Sequence, residues 1–66
     1  MRNNLKVERA IRNFTQQDLA QLIGVSRQTI NAMEANKYVP STVLALKIAR
    51  VFGKQVEEIF LLEADD

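Results

Sequence analysis

The sequence predicts a compact all-α domain of five helices that takes up residues 1–66 as a single unit. Apolar residues recur at helical spacing in successive segments, and a helix-capping or helix-ending residue stands at most of the predicted boundaries. A chain of 66 residues forms one domain, and a domain of that size has a small core. The terminal segments Arg2–Leu5 and Leu61–Glu63 are compatible with an additional short β-ribbon.

Helix 1 is predicted from about Leu5 to Asn13, with Asn3 or Asn4 as its N-cap. Its apolar residues follow the i, i+3, i+4, i+7 pattern of one helix face, which we expect to be buried. These residues are Val7, Ala10, Ile11 and Phe14.

Helices 2 and 3 follow closely, over about residues 16–23 and 27–35. Thr15 and Asp18 have the spacing of a capping box, and Ser26 is the predicted N-cap of helix 3. Gly24 ends helix 2, where the chain needs a residue that tolerates a positive φ. The residues expected to be buried are Leu19, Ala20, Ile23, Ile30 and Met33.

Helix 4 is predicted from the cap Ser41 to Phe52, because Pro40 prevents the preceding helix from continuing and Gly53 ends this one. It is apolar nearly all round and therefore needs burial on two sides. A short helix 5 is predicted over Val56–Phe60.

The charges are divided along the chain. Residues 1–54 contain nine basic and three acidic residues, a net charge of +6, whereas residues 55–66 contain five acidic residues and no basic one, a net charge of −5. A basic body is typical of proteins that bind a polyanion such as nucleic acid.

Several classes of function are excluded by composition. The chain has no Cys and no His, so we expect no disulfide, no metal site and no cofactor. The carboxylates are scattered over different predicted elements, which argues against an enzyme. No apolar run approaches a membrane span, no signal peptide is visible and no ligand cavity is implied. We therefore expect a soluble, cytoplasmic protein with no small-molecule ligand.

The spacing across residues 16–35 is that of two short helices crossing through a tight turn, a helix-turn-helix. Ala20 is small where the second helix of the motif must cross closely, and Gly24 supplies the left-handed turn. The apolar positions that would form the wedge between the two helices are Leu19, Ile23, Val25, Ile30 and Met33.

With these residues the chain resembles the lambda-repressor-like helix-turn-helix family, the Cro/cI type also called XRE, and particularly its small stand-alone repressors. The resemblance covers roughly residues 5–60. It implies a five-helix domain that binds double-stranded operator DNA, usually as a two-fold dimer. The residues that carry it are Thr15–Ala20, Gly24–Ile30, Glu34, Asn36–Tyr38 and Pro40–Ser41.

In such a motif the second helix enters the major groove, so its first residues are the candidates for contact with bases. Arg27 can bind guanine and Gln28 can bind adenine, each through two hydrogen bonds. Thr29 offers a hydroxyl or a methyl group, and Asn31 lies one turn beyond Gln28. Arg27 has two other interpretations, an ion pair with Asp18 or a phosphate contact.

Phosphate contacts are predicted at two places. The start of helix 2, with Gln16 and Gln17, suits an anion because the positive end of a helix dipole lies there. The loop after helix 3 is expected to hold the DNA backbone with Asn36, Lys37 and Tyr38, although Gln16 and Gln17 can equally be solvated and Tyr38 can pack on Pro40. Arg9 and Glu34 match the family's ion pair between helices 1 and 3, which we interpret as structural.

The C-terminal part has more apolar residues than its own half of the core needs, which predicts self-association. The residues proposed for the dimer interface are Val51, Val56, Phe60, Leu61 and Leu62. The function predicted is therefore a sequence-specific transcriptional regulator, a repressor that acts as a homodimer on a palindromic operator. The alternative is an antitoxin-like or adaptor module whose apolar C-terminus binds another protein.

Overall fold

The computed structural model describes all of residues 1–66, which fold into five helices and a two-stranded ribbon within 32 × 23 × 21 Å. In chain order the elements are β1 (Arg2–Asn3), α1 (Leu5–Arg12), α2 (Gln16–Ile23), α3 (Arg27–Glu34), α4 (Thr42–Phe52), α5 (Val56–Ile59) and β2 (Phe60–Leu61). The predicted fold class is confirmed. The longest helix, α4, has 11 residues, and no helix combines the length and apolar character needed to cross a bilayer.

The ends of the helices are set by the capping residues that the sequence predicts. The Thr15 hydroxyl accepts from the Asp18 backbone N–H at 3.0 Å, and the Asp18 carboxylate accepts from the Thr15 N–H at 2.8 Å. Ser26 and Ser41 cap α3 and α4 in the same way, through the N–H three residues on. Gly24 has a left-handed φ of +76°, which an L side chain rarely adopts.

Twelve apolar residues form one core to which all five helices contribute. Its largest fully buried side chains are Phe52, Leu5, Leu19, Ile30, Met33, Ile48 and Ile59. Within it α2 packs against both α3 and α4, and α4 packs against α5. The burial predicted for α2 and α3 is thus confirmed.

The buried face predicted for helix 1 is wrong for three of its four residues, and only Phe14 is half-buried and packs against the core. Val7 and Ile11 are 56% and 66% exposed, and Ala10 is also exposed. The helix instead turns Leu5 and Glu8 inward, with Glu8 only 4% exposed. Because Glu8 is polar, apolar periodicity alone selects the opposite, exposed side of the helix as the buried one.

Glu8 and Arg12 on this side of α1 each have a partner from another element, and Glu8 is buried there. Glu8 forms an ion pair with Lys54, at 2.7 Å between Oε2 and Nζ. Arg12 donates to the carbonyls of Val51 and Phe52 at the end of α4, and its guanidinium lies 5.5 Å from the centre of the Phe52 ring. No buried side-chain nitrogen or oxygen is left without a partner, so the ion pair with Lys54 compensates the burial of Glu8.

The β-ribbon is present and slightly displaced from its predicted position. Arg2 pairs with Leu61 and Asn3 with Phe60, in antiparallel register. The first strand is short because the Asn3 side-chain oxygen accepts from the Leu5 N–H and starts α1. The second begins earlier than predicted because the chain becomes extended at Phe60, where α5 has already ended.

Candidate nucleic-acid interface

The face of α3 that points away from the core forms a shallow groove. Ile30 and Met33 are fully buried, so the opposite face of the same helix turns outward. The groove is lined by Arg27, Gln28, Asn31, Ala32, Ala35 and Lys37. Ala32 and Ala35 leave its centre open, and their small side chains set its depth.

Three of the four residues predicted to contact bases are free to do so. Arg27, Gln28 and Asn31 are exposed, and the structure has no hydrogen bond from any of their side chains to the protein. Arg27 also forms no ion pair with Asp18 or any other carboxylate, so that alternative is absent from the structure. These side chains therefore keep their hydrogen-bonding capacity for a ligand.

Thr29 differs from the other three. It is half-buried, and its hydroxyl lies 3.0 Å from the hydroxyl of Ser26, the residue that caps α3. The hydroxyl therefore has a partner within the protein, and the methyl group is the part of Thr29 best suited to an outside contact.

A second groove lies where α1 ends and α2 begins, and Arg27 lines both grooves. Its other lining residues are Arg9, Asn13, Phe14, Thr15, Gln16 and Gln17. Gln17 is exposed, as predicted. Sequence reasoning did not single out Asn13 here; it ends α1 with a left-handed φ of 57°, for which an Asn after a helix is the available signal.

Gln16 belongs to a polar network that connects α1, α2 and α3. Arg9 donates to both oxygens of Glu34, at 2.6 and 3.0 Å, and to the Phe14 carbonyl at 2.9 Å. The Gln16 amide donates to the same carboxylate at 3.2 Å. The hydrogen bonds and charge of Glu34 raise the pKa of Arg9 above its usual value, so this guanidinium is always charged. One N–H of the Gln16 amide remains free for an anion at the start of α2.

The loop after α3 presents its three predicted residues outward. Asn36 has a left-handed φ of 60°, and its side-chain oxygen accepts from Asn3 at 3.1 Å. The Lys37 N–H returns to the Ala32 carbonyl at 2.8 Å, and its side chain is exposed and unpaired. Tyr38 is 44% exposed. Lys37 therefore presents a free positive charge at the edge of the α3 groove.

The residues predicted for the dimer interface are distributed between core and surface. Phe60 is 8% exposed and belongs to the core, Val51 and Val56 pack against it, Leu61 is half-buried and Leu62 is 81% exposed. Other apolar side chains lie open on α4 and the loop before it, namely Val39, Val43 and Leu46. Val39 and Leu46 belong to an apolar groove lined mainly by Met1, Val39, Pro40, Ala45, Leu46, Val56 and Phe60.

The comparisons with known proteins agree with this geometry. A family model described as helix-turn-helix matches residues 5–59. An uncharacterized HTH-type transcriptional regulator of Methanocaldococcus jannaschii is 56% identical over the whole of both chains. Similar regulators of Archaeoglobus fulgidus and Bacillus subtilis are 47% and 42% identical, each over the whole of this chain and over 93% and 100% of their own.

Proposed function

The chain belongs to the helix-turn-helix family of DNA-binding transcriptional regulators, and from this we propose that it is a sequence-specific repressor that acts as a homodimer on a palindromic operator. The observation that supports this best is the outward face of α3, whose base-reading side chains have no partner inside the protein. It acts in the cytoplasm, at the DNA, and carries out no catalysis.

We assign sequence recognition to the first turn and a half of α3. Arg27 binds guanine through O6 and N7, and Gln28 binds adenine through N6 and N7. Asn31 contacts a base edge one turn further along, and the Thr29 methyl is suited to the methyl group of thymine. Each bidentate contact discriminates against the wrong base by about 1–3 kcal/mol.

We assign the contacts with DNA phosphates to two sites, one on each side of the α3 groove. Gln16 and Gln17 hold one phosphate at the start of α2, where free backbone N–H groups also point outward. Lys37 holds another beyond the end of α3, together with Asn36 and Tyr38. Such contacts fix the register of the protein on the duplex and make binding depend on salt.

The homodimer follows from the size of the DNA contact and from the exposed apolar surface. One α3 reaches few base pairs, and a two-fold pair doubles that number with its two helices about 34 Å apart. A protomer whose longest dimension is 32 Å is compatible with that spacing. Of the residues predicted from sequence, Leu62 is exposed and Leu61 is half-buried. The α4 side chains Val43 and Leu46 provide further exposed apolar surface.

Charge complementarity supports this arrangement. The outer face of α4 carries Lys47 and Arg50 beside its exposed apolar side chains. The acidic residues lie on α5 and the C-terminal segment, so a second copy can bring them opposite the basic face of the first. Sedimentation tests the dimer: Leu46→Ser shifts the mass towards the monomer, whereas Leu22→Ser, at an equally exposed position on α2, leaves it unchanged.

Selection of bound duplexes from a random pool tests the function as a whole. A palindromic consensus with half-sites about ten base pairs apart is expected. Gln28→Ala is expected to lose preference at one base pair of each half-site, whereas Lys37→Ala weakens binding to all sequences alike. Weak binding without sequence preference would instead favour the antitoxin-like or adaptor module, whose partner would then occupy the exposed apolar surface.

A further inference from the structure

We propose that Asn3, although it lies outside the helix-turn-helix, positions Lys37 for its phosphate contact. This inference rests on the proposed function, since it explains how the loop that holds the DNA backbone is itself held. The observation behind it is a set of three hydrogen bonds from one side chain that joins the N-terminal strand, the start of α1 and the end of α3.

The Asn3 side chain donates two hydrogen bonds and accepts one, all within the protein. Its amide nitrogen donates to the Met33 carbonyl at 2.7 Å and to the Asn36 side-chain oxygen at 3.1 Å. Its oxygen accepts from the Leu5 N–H at 3.1 Å. Both amide hydrogens are therefore committed to the end of α3 and the loop that follows it.

These two acceptors, on Met33 and Asn36, lie where the chain leaves α3 and changes direction. The Met33 carbonyl is in the last turn of the helix, where it also accepts from the Asn36 backbone N–H at 3.0 Å. Asn36 adopts the left-handed conformation that redirects the chain immediately before Lys37. By holding both, Asn3 fixes the direction in which the Lys37 side chain departs.

The other end of this connection is rigid. Asn3 is in register with Phe60, which is only 8% exposed, and the next residue's N–H donates to the Ile59 carbonyl at 2.8 Å. The ribbon is thus attached to the core, so the hydrogen bonds of Asn3 hold the loop in a fixed position relative to the core.

Asn4, the residue between β1 and α1, provides a matched control. Its side chain donates to the Glu58 carbonyl at 3.3 Å and makes no hydrogen bond to α3 or the loop. Asn3→Ser keeps a side-chain oxygen for the Leu5 N–H, as Ser is a good helix cap, yet is too short to bridge to α3. Asn4→Ser makes the same chemical change one residue away.

The experiment measures affinity for the selected duplex at a series of salt concentrations, at a temperature where every variant is folded. Lys37→Ala is expected to make the salt dependence shallower by about 0.9 for each phosphate that the protein no longer neutralises. Asn3→Ser is expected to move it in the same direction and to weaken binding about tenfold, a factor typical of removing one charge-assisted hydrogen bond. Asn4→Ser leaves the salt dependence unchanged.

The double variant Asn3→Ser with Lys37→Ala is expected to behave like Lys37→Ala alone, because Asn3 acts through Lys37. The inference would be overturned if Asn3→Ser weakened binding equally in the presence and the absence of the Lys37 side chain. It would also be overturned if Asn3→Ser left the salt dependence of binding unchanged. The proposed function would stand in both cases. If Lys37→Ala itself had no effect, the phosphate assignment would fall and the inference with it.

A measurement on the free protein covers the case in which Asn3→Ser does not fold. Asn3→Thr also retains the capping oxygen, and hydrogen exchange reports the Lys37 N–H that is bonded to Ala32. Faster exchange at Lys37 with unchanged exchange at Thr29, at the other end of α3, is the expected result. Unchanged exchange at both amides would contradict the positioning role.

Discussion

Replacing Glu34 by Ala is expected to destabilise the protein by about 2–3 kcal/mol. The Glu34 carboxylate accepts three hydrogen bonds, two from Arg9 and one from Gln16, and the Arg9 and Glu34 side chains are 14% and 9% exposed. Breaking a fully buried ion pair by removing one partner costs about 3–5 kcal/mol. The value here is lower because Arg9 keeps some contact with water and its bond to the Phe14 carbonyl.

The assay is urea denaturation followed by helical circular dichroism at neutral pH and low temperature. The midpoint should fall with an unchanged slope, and thermal unfolding should shift downwards by about 10–20 °C. Glu57→Ala, which removes an exposed carboxylate with no ion-pair partner, serves as the control and should cost less than about 1 kcal/mol.

The loss of stability should come from breaking the ion pair between Arg9 and Glu34, not from either side chain alone. Arg9→Ala and Glu34→Ala together should cost clearly less than the sum of the single variants, since each leaves the other's charge without its partner. The apolar replacement Arg9→Met with Glu34→Leu should recover much of the stability. Strict additivity, or a destabilisation below about 1 kcal/mol for Glu34→Ala, would refute the assignment of a structural ion pair.

The remaining predictions concern α1, the turn at Gly24 and the two chain termini. Ile11→Ser should alter the free energy of unfolding by no more than about 0.5 kcal/mol, because its side chain is 66% exposed, whereas Leu5→Ala should cost about 2–4 kcal/mol in the same denaturation assay. Gly24→Ala should cost about 1 kcal/mol because φ is +76° there, measured in the same way. The N-terminal ammonium donates to the Asp66 carboxylate at 3.0 Å, which raises the pKa of the Met1 amine. The hydrogen bond from the Glu63 backbone N–H at 2.7 Å, and then the one from this ammonium, lower the pKa of Asp66. The resulting stabilisation should fade as pH rises through the raised pKa and as pH falls through the lowered one, and Asp66→Asn should abolish the acid limb of an NMR titration of this pair.

The elements that could be predicted from sequence are those specified by neighbouring residues. The capping box of Thr15 and Asp18, the caps Ser26 and Ser41 and the left-handed Gly24 are all found as predicted. Each depends on hydrogen bonds or dihedral preferences within a few residues, so local sequence contains the information needed.

The orientation of α1 could not be predicted in this way, because it depends on partners distant in sequence. Glu8 meets Lys54, 46 residues later. The Arg9–Glu34 pair spans 25 residues and was expected only from the family resemblance. A periodicity argument places charged residues on the solvent side. It fails where tertiary contacts satisfy those charges, and it therefore assigned the exposed Val7 and Ile11 to the core.

The surface that we propose for a second copy could also be predicted only in part from the sequence. Phe60 is one of several apolar residues near the C-terminus, and its pattern does not show that β2 turns it into the core. Conversely, Val43 and Leu46 lie in a helix whose sequence is apolar nearly all round, so the sequence does not show which of its sides remains open.

The polar residues around α3 divide into two groups with different consequences for DNA recognition. Isolated helices of eight residues are unstable in water, so α3 depends on its surroundings for its conformation. Arg9 and Asn3 hold its C-terminal end through Glu34 and the Met33 carbonyl, and Ser26 holds its start. Side chains engaged in this support have few donors left for bases. We therefore propose that sequence readout falls to Arg27, Gln28 and Asn31, whose exposed side chains would lose conformational freedom on binding DNA.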